Sequence, residues 1–333
     1  MRVPTDHWYP LLESRELRRK PLGLERLGRR FVFWRTADGR AQAHDDRCPH
    51  LGAALSGGTV RDDCLVCPFH GFAFDAGGAC RHVPASGRDA TIPHGLAVTR
   101  HEVRERHGFV WLWWGAPRDT YPDLPFFPEF EDAGWRSVTS VVDWPVHYTR
   151  AIENQLDVAH LAFVHRTTIG RGGQTRVHGP HVEADRGGIK VWTTNAVDDG
   201  TPAPSREALA AAAAGRPPSL HFLFPGLWRL VITERLKNVI AFVPINDGLT
   251  RYYLRLYHRH RNPLVARPFE WLMAVSNRFI LDQDRRVVVT QTPPVSLDAT
   301  DDRLVGADRA IVQFRRQLGA LLSPSDDGGD APT

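Results

Sequence analysis

Along the first third of the chain, apolar residues come in short runs separated by turn residues, the pattern of β-strands joined in hairpins. Arg30 to Arg35 (RFVFWR) leads toward an Asp38-Gly39 turn, and Ala41 to His44 answers it. Phe72 to Asp75 meets a Gly77-Gly78 turn, and Phe109 to Trp114 (FVWLWW) closes the series. Residues 1–116 therefore read as an antiparallel all-β domain. A stretch punctuated by Pro117, Pro122, Pro125 and Pro128 has neither period, so residues 117–128 read as a linker.

Beyond it the period changes. Val138 to Val142 reads as a strand, and Val146 to Val164 places Ile152, Leu156, Leu161 and Val164 at helical spacings. Strand-like runs return at Lys190 to Thr194, His221 to Phe224, Leu227 to Thr233, Val239 to Val243 and Arg251 to Tyr257. Pro268 to Asp284 and Asp301 to Leu322 read as helices, so residues 129–322 form an α+β domain. The Ala-rich Glu207 to Gly215 is a short helix or a loop, and residues 323–333 read as a disordered tail.

Composition narrows the class. The chain has 333 residues with 42% hydrophobic and 24% charged, enough to build a core without disulfide staples. Lys+Arg number 42 against 38 Asp+Glu, no block of like charge occurs, and lysine stands only at Lys20, Lys190 and Lys237. That balance argues against nucleic acid as a partner. No apolar run is long enough to span a bilayer, and Met1 to Pro10 lacks the basic-then-apolar order of a secretory signal, so a cytoplasmic protein with no membrane partner is expected. Four cysteines then point to metal or redox chemistry.

The first candidate site is Cys48-Pro49-His50 followed, after sixteen residues, by Cys67-Pro68-Phe69-His70-Gly71. Two thiolates and two imidazoles suit a closed zinc site, for which Cys64 offers a further C-x-x-C thiol. The same spacing suits a [2Fe-2S] cluster with one iron held by two Cys and the other by two His. The second is Asn154, Asp157, His160 and His165 in one segment. Histidines five apart on a regular helix point about 140° away from each other, so a shared metal requires the helix to end or distort.

CPHLGAALSGG (Cys48 to Gly58) and CPFHGFAFD (Cys67 to Asp75) resemble the cluster-binding loops of Rieske domains. Where respiratory-chain Rieske proteins carry an extra cysteine in each loop, this chain has apolar residues such as Phe69, which places the resemblance with the oxygenase and ferredoxin types. N-x-x-D-x-x-H-x-x-x-x-H over Asn154 to His165 resembles the iron helix of Rieske non-haem iron oxygenases. The likeness spans Trp8 to Leu322. It is to their catalytic, alpha-type terminal subunits, the group of vanillate O-demethylase oxygenase, dicamba monooxygenase and the saxitoxin-pathway hydroxylases.

The resemblance implies an N-terminal Rieske domain followed by a helix-grip-like catalytic domain. Cys48, His50, Cys67 and His70 would bind the [2Fe-2S] cluster. His160, His165 and a late carboxylate would bind a mononuclear Fe(II) with positions open to O2 and substrate. The late carboxylate is matched to Asp284, which directly precedes Arg285-Arg286-Val287, with Asp282 as the alternative. Asp157 would be the inter-subunit electron bridge, joining His160 of one chain to His70 of its neighbour in a homotrimer, and Asn154 would lie near the iron. Electrons would come from NAD(P)H only through a separate reductase or ferredoxin.

The implied activity is O2-dependent hydroxylation, by a monooxygenase or dioxygenase, of an aromatic or polycyclic, alkaloid-like small molecule. Oxidative O- or N-demethylation is the alternative. A non-catalytic iron-sulfur carrier and a zinc-stabilised interaction module are the competing classes. Phe222, Phe224, Trp228 and Phe242, with Thr167-Thr168-Ile169-Gly170, are pocket candidates or plain core. Arg81, His82 and Arg88 form a docking patch for an acidic donor or are scattered surface charges.

Overall fold

The computed structural model describes residues 1–87 and 90–323. Arg88 and the tail from 324 onward lie outside the described residues. The chain divides into two units. The first holds Met1, Asp6–Glu131 and Val243–Arg251; the second holds Arg2–Thr5, Asp132–Phe242 and the chain from Tyr252 onward.

The first unit is all β. Phe109–Trp114 lies between His7–Glu13 and Val103–Arg106 in a three-stranded sheet. Being central, FVWLWW is buried on both faces from Phe109 to Trp113, which is why it reads as a continuous apolar run and not an alternation. A four-stranded sheet follows the order Leu22–Arg26, Arg29–Arg35, Ala41–Asp45, Arg100–His101. Another follows Thr59–Arg61, Cys64–Val66, Ala73–Phe74, Cys80–His82, with Ala73–Phe74 shorter than the predicted Phe72 to Asp75.

Several of these strands escape the sequence pattern because their turns use unusual residues. Two-residue hairpin turns of type I′ need positive φ at both positions, the place for Asn or Gly. Here Leu27-Gly28 (φ 53° and 73°), Asp62-Asp63 (49° and 55°) and His107-Gly108 (56° and 73°) fill them. Leu27 is tolerated because the turn is clamped: its N–H donates to Pro244 C=O and that of Gly28 to Ile245 C=O, both at 2.8 Å. His7–Glu13 hides its strand character behind Pro10, where the register shifts. The proline stretch after Gly115 has no strand or helix before Pro128 and is held by Trp8, whose indole N–H donates to Pro122 C=O at 2.9 Å.

The second unit is built on a seven-stranded sheet in the order Arg136–Trp144, Leu249–His258, Leu236–Asn246, Leu227–Thr233, Leu220–Leu223, Gly188–Ala196, Arg176–Ala184, of which the hairpin end Val243–Arg251 belongs to the first unit. Its helices are α1 (Tyr148–Leu156), α2 (Leu161–Val164), α3 (Arg206–Ala213), α4 (Pro263–Val288) and α5 (Arg309–Leu322). One face of α5 buries Ala310, Ile311, Phe314 and Leu318, and Phe314 meets Phe222 and Phe224 of the sheet at 5.6 and 6.0 Å between ring centroids. A sheet gripping a helix on one face is the α+β architecture expected.

Three helix predictions are corrected. The single helix over Val146 to Val164 is two, because Asp157 adopts an extended conformation (φ −68°, ψ 129°) after Leu156. The helix predicted from Pro268 starts at Pro263. Asn262 caps it by accepting from Leu264 N–H and proline is at home in a first turn, so the interior Pro268 costs the helix a bond without ending it. The predicted Asp301 to Leu322 helix is regular only from Arg309, after a short 3-10 turn at Gly306–Asp308.

In the first unit, His44 is fully buried and accepts the Trp34 indole N–H at Nδ1, 2.9 Å away. Burial pushes its pKa down from 6.5 to about 4. The unfolded chain therefore takes up a proton between these values that the folded chain refuses. Stability is complete above about pH 6.5 and falls as pH drops toward 4, by about 2 kcal/mol at pH 5 from this group alone. Urea midpoints near pH 7.5 and near pH 5 should differ less in His44→Gln than in the parent; an unchanged difference would show that His44 titrates normally.

Candidate metal and cluster sites

The two cysteine loops share one backbone design. In the first, Cys48 N–H donates to Ala53 C=O at 2.8 Å and Gly52 N–H donates back to Cys48 C=O at 2.9 Å. In the second, Cys67 N–H donates to Phe72 C=O at 2.8 Å and Gly71 N–H donates back to Cys67 C=O at 3.1 Å. Gly52 (φ 78°) and Gly71 (φ 73°) close the turns in the left-handed region that favours glycine. Each loop thus presents a buried thiol at its base and an exposed imidazole near its tip.

The four side chains sort into pairs. The Cys48 thiol is raised by burial and by the neighbouring Cys67 thiol. The His50 and His70 rings lie 4.7 Å apart, and Phe72 stacks on His50 at the same separation. A thiol pair below an imidazole pair is the donor arrangement of a [2Fe-2S] cluster with unlike irons. Leu51 and Phe69, beside the two histidines, are 65% and 61% exposed. Cys64 sits in a strand paired with Arg61, outside both loops. Arg81, the described arginine of the predicted docking patch, is engaged with Asp75 at 2.5 Å.

In the second unit the chain break at Asp157 does what a regular helix cannot. Asp157 Oδ1 accepts from Ala159 N–H at 2.7 Å, and α2 restarts at once with His160 before it and His165 after it. The imidazoles then converge, 5.3 Å between centroids. Asp284, from α4, reaches both: its Oδ1 lies 3.5 Å from His160 Nε2 and 3.0 Å from His165 Nε2. Donor atoms of the three fall within 4.8 Å of one another, and among the described residues this is the trio so placed. Asp282 faces the other way, bound by Arg285 and Arg286.

The outer contacts aim each donor. His165 Nδ1 lies 2.9 Å from Gln283 Oε1, which also accepts from Thr168 Oγ1 at 2.9 Å. Gln155 Nε2 donates to Asp284 Oδ2 at 3.4 Å, leaving Oδ1 for the shared point. His160 Nδ1 faces Asp157 Oδ2 at 3.5 Å. His160 Nδ1 and Asp284 Oδ1 are buried without an aligned hydrogen bond, so this donor set is incomplete by itself and fits a divalent cation. Burial works to raise the Asp157 carboxyl, but the hydrogen bond and charge of His160 and the Ala159 N–H outweigh it and hold it below the usual range. Burial likewise works to lower His165, and Asp284 outweighs it.

Gln155 and Gln283 are neighbours of the trio that the sequence pattern does not reveal, although they adjoin Asn154 and Asp284; Thr168, expected as a pocket candidate, instead donates to Gln283. Asn154 has a buried Nδ2 without a hydrogen-bond partner. Beside the trio opens a cavity of about 390 Å³, walled by one sheet face and by α4. Of the predicted pocket residues Trp228 and Ile169 line it, while Phe222, Phe224 and Phe242 do not.

Comparison with known proteins finds a match in each half of the chain. A family model described as Rieske [2Fe-2S] domain matches residues 7–99, and one described as vanillate O-demethylase oxygenase C-terminal domain matches residues 144–323. The chain belongs to the Rieske proteins that carry this oxygenase domain. It is 37% identical over 187 residues to a putative toluene-4-sulfonate monooxygenase system iron-sulfur subunit of Comamonas testosteroni, covering 56% of this chain and 53% of that one. It is 33% identical over 190 residues to the vanillate O-demethylase oxygenase subunit of a Pseudomonas species, covering 55% and 52%. The chain thus matches about half the length of these curated relatives. In fold it is similar to dicamba monooxygenase bound to dicamba (TM-score 0.76, 22% identity, 97% of this chain and 98% of that one). Pseudomonas putida NdmA with caffeine is similar too (TM-score 0.77, 24% identity, 95% and 90%).

The geometry predicts that the protein takes up one Fe(II) at the trio and that Asp284→Ala does not, while Asp282→Ala does. Gln283→Leu should weaken iron binding about 10- to 100-fold by freeing His165. Iron per chain after anaerobic loading and desalting checks all three, with cluster absorbance as the internal control. Gly170→Ala tests the backbone: a Cβ there would sit 1.9 Å from Leu161 C=O and 3.1 Å from the His165 carbonyl carbon. It should reduce iron uptake without touching a ligand.

Proposed function

We propose that this chain is the terminal oxygenase component of a Rieske non-haem iron system that hydroxylates an organic small molecule with O2. The observation that carries the reading is the convergence of His160, His165 and Asp284 beside a cavity large enough for substrate. Two imidazoles and one carboxylate leave coordination positions open, and every donor here lies at the cavity wall. Cys48, Cys67, His50 and His70 are assigned to the cluster and the trio to Fe(II). When bound, the iron supplies oxygen activation and the cluster supplies electrons.

The chain's own residues do the placing. Asp157 holds the Nδ1 side of His160 and Gln283 holds that of His165, so both Nε2 atoms face one point. Apolar walls exclude water from the reacting carbon. We assign the product as hydroxylated. Where that carbon is a methyl on O or N, the same step ends in demethylation, a reading favoured by the O-demethylase names of two relatives. Entry of one oxygen atom into product, as in a monooxygenase, fits these relatives better than the dioxygenase outcome.

The assembly we infer is a homotrimer served by a separate reductase or ferredoxin. It is supported by surfaces suited to meeting in another copy. In the first unit His70 is exposed beside exposed Phe69, and in the second Asp157 keeps 29% of its side chain exposed and Phe163 and Ile169 are exposed. On this reading Asp157 bridges His160 to His70 of the neighbouring subunit. Four free cysteines among the described residues suit a reducing, cytoplasmic setting.

Substrate-dependent oxygen uptake by the iron-loaded protein with a surrogate reductase, over an aromatic and alkaloid panel with products read by mass, tests the reaction. A product gaining one oxygen or losing a methyl as formaldehyde is expected. Reduction of the cluster with no coupled product from any compound, despite full iron, would favour a carrier. Asp157→Asn should keep both metal centres and lower turnover about 10- to 100-fold; single-turnover reduction of the iron separates this from a substrate-binding defect.

A further inference from the structure

The cavity wall is mostly apolar, and besides His160 Nδ1 and Asp284 Oδ1 of the trio, three of its polar atoms have no partner. Trp228 Nε1, Asn238 Oδ1 and Thr193 Oγ1 are buried without a hydrogen bond, and all three residues line the cavity. They come from three strands of one sheet face. Trp228 opposes Ile240 and Leu230 opposes Asn238, so Trp228 and Asn238 are diagonal neighbours on the same side. Buried polar atoms are normally paired, because each left unmet forfeits the hydrogen bonds it had in water. Three orphans on one wall, with neither a fold nor a cap role, mark a place where a ligand completes the bonding.

Their chemistry is specific. The indole N–H only donates, the Asn238 oxygen accepts, and the Thr193 hydroxyl does either. The wall's charges are equally telling. Among the described residues that line it there is no Lys or Arg, whereas Asp157 and Asp284 are both present. A substrate carboxylate or sulfonate would be desolvated there with no cation opposite it. The ion assigned to the trio would be the one positive charge, and an anion bound to it would occupy positions that O2 needs. A cavity of about 150 Å³ suffices for benzene, so about 390 Å³ has room for a bicyclic body.

We propose that this pocket selects a neutral, mainly apolar ring compound whose polar edge gives an acceptor to Trp228 Nε1–H and a donor to Asn238 Oδ1, and that it discriminates against anions. The inference rests on the oxygenase reading for its cavity and deepens it. It separates this chain from relatives whose names specify vanillate or toluene-4-sulfonate, both anions at neutral pH.

Binding without turnover tests it. Anaerobic calorimetry on the iron-loaded holoprotein would compare two matched pairs: 4-methylbenzenesulfonamide against 4-methylbenzenesulfonate, and vanillamide against vanillate. Each amide should bind at least about tenfold tighter than its anion. Trp228→Phe and Asn238→Leu should each weaken the amides about tenfold and leave the anions unchanged, with iron content showing that the site is intact. Equal binding, tighter binding of the anions, no binding of either up to millimolar concentration, or amide affinity indifferent to both substitutions would overturn the proposal. Amide preference without coupled oxygen uptake would instead overturn the oxygenase reading alone, and turnover of an anion with binding favouring it would overturn this one alone.

Discussion

The interruption of the chain at Asp157 is the constraint on which the proposed iron site depends. Had the helix run on through Val164, His160 and His165 would diverge by about 140° and no single ion would meet both. Asp157 ends α1 in extended conformation and uses one oxygen on Ala159 N–H to begin the next turn. Its other oxygen faces His160. One side chain therefore sets the backbone path and aims a ligand, which is why its burial is tolerated: the local hydrogen bonds hold it ionised against desolvation. Gly170 completes the arrangement from the other side, since the returning chain lies against Leu161 C=O with no space for a Cβ.

The cluster loops solve a parallel problem by repetition. Both run Cys-Pro, two variable residues, Gly and an apolar residue, and both close through the same pair of backbone bonds. They differ in where the histidine falls, two residues after Cys48 and three after Cys67. That offset lets two loops of one geometry bring their imidazoles together at 4.7 Å over a buried thiol pair. The proposed ligand set follows from backbone closure, and the histidines remain at the surface.

Much of this was legible in the sequence because it is written in local spacing. The cysteine loops, the Asn154 to His165 string and the need for the helix carrying His160 and His165 to end or distort are all properties of contiguous residues. What the sequence hid depends on distant contacts. Gln283 adjoins Asp284 in sequence, yet nothing in LDQDRR says that its oxygen meets His165 and Thr168. Asp282 and Asp284 differ by two positions and only the packing of α4 turns one inward and the other to Arg285 and Arg286. The strands Leu22–Arg26, Thr59–Arg61 and Cys64–Val66 escaped the pattern because their turns open on Leu27, which normally avoids positive φ, or use Asp62-Asp63 without the glycine that marks such hairpins. Phe222 and Phe224 read as pocket candidates or, more often for strand aromatics, as plain core, and Phe314 of α5 covers them.

Holding α1 at the right angle falls to a partly buried ionic network as well as to apolar packing. Glu153 of α1 accepts from Arg315 of α5 at 2.6 and 3.1 Å and from Arg150 at 3.2 Å. Asp302 accepts from the same two arginines at 2.7 and 3.4 Å. Arg150 adds bonds to Pro293 C=O at 3.2 and 2.9 Å. Two cations and two anions leave no net charge to desolvate, and of the four Arg150 and Glu153 are the buried pair, where deleting one partner costs about 3–5 kcal/mol. An apolar contact would tolerate rotation of α1 about its axis. Directional bonds from two helices and a loop do not, and a small rotation of α1 would carry Gln155 away from Asp284 and shift the point from which His160 reaches the ion. The network is thus best understood as fixing orientation, with the stability of the fold drawn mainly from the aromatic and aliphatic core around it.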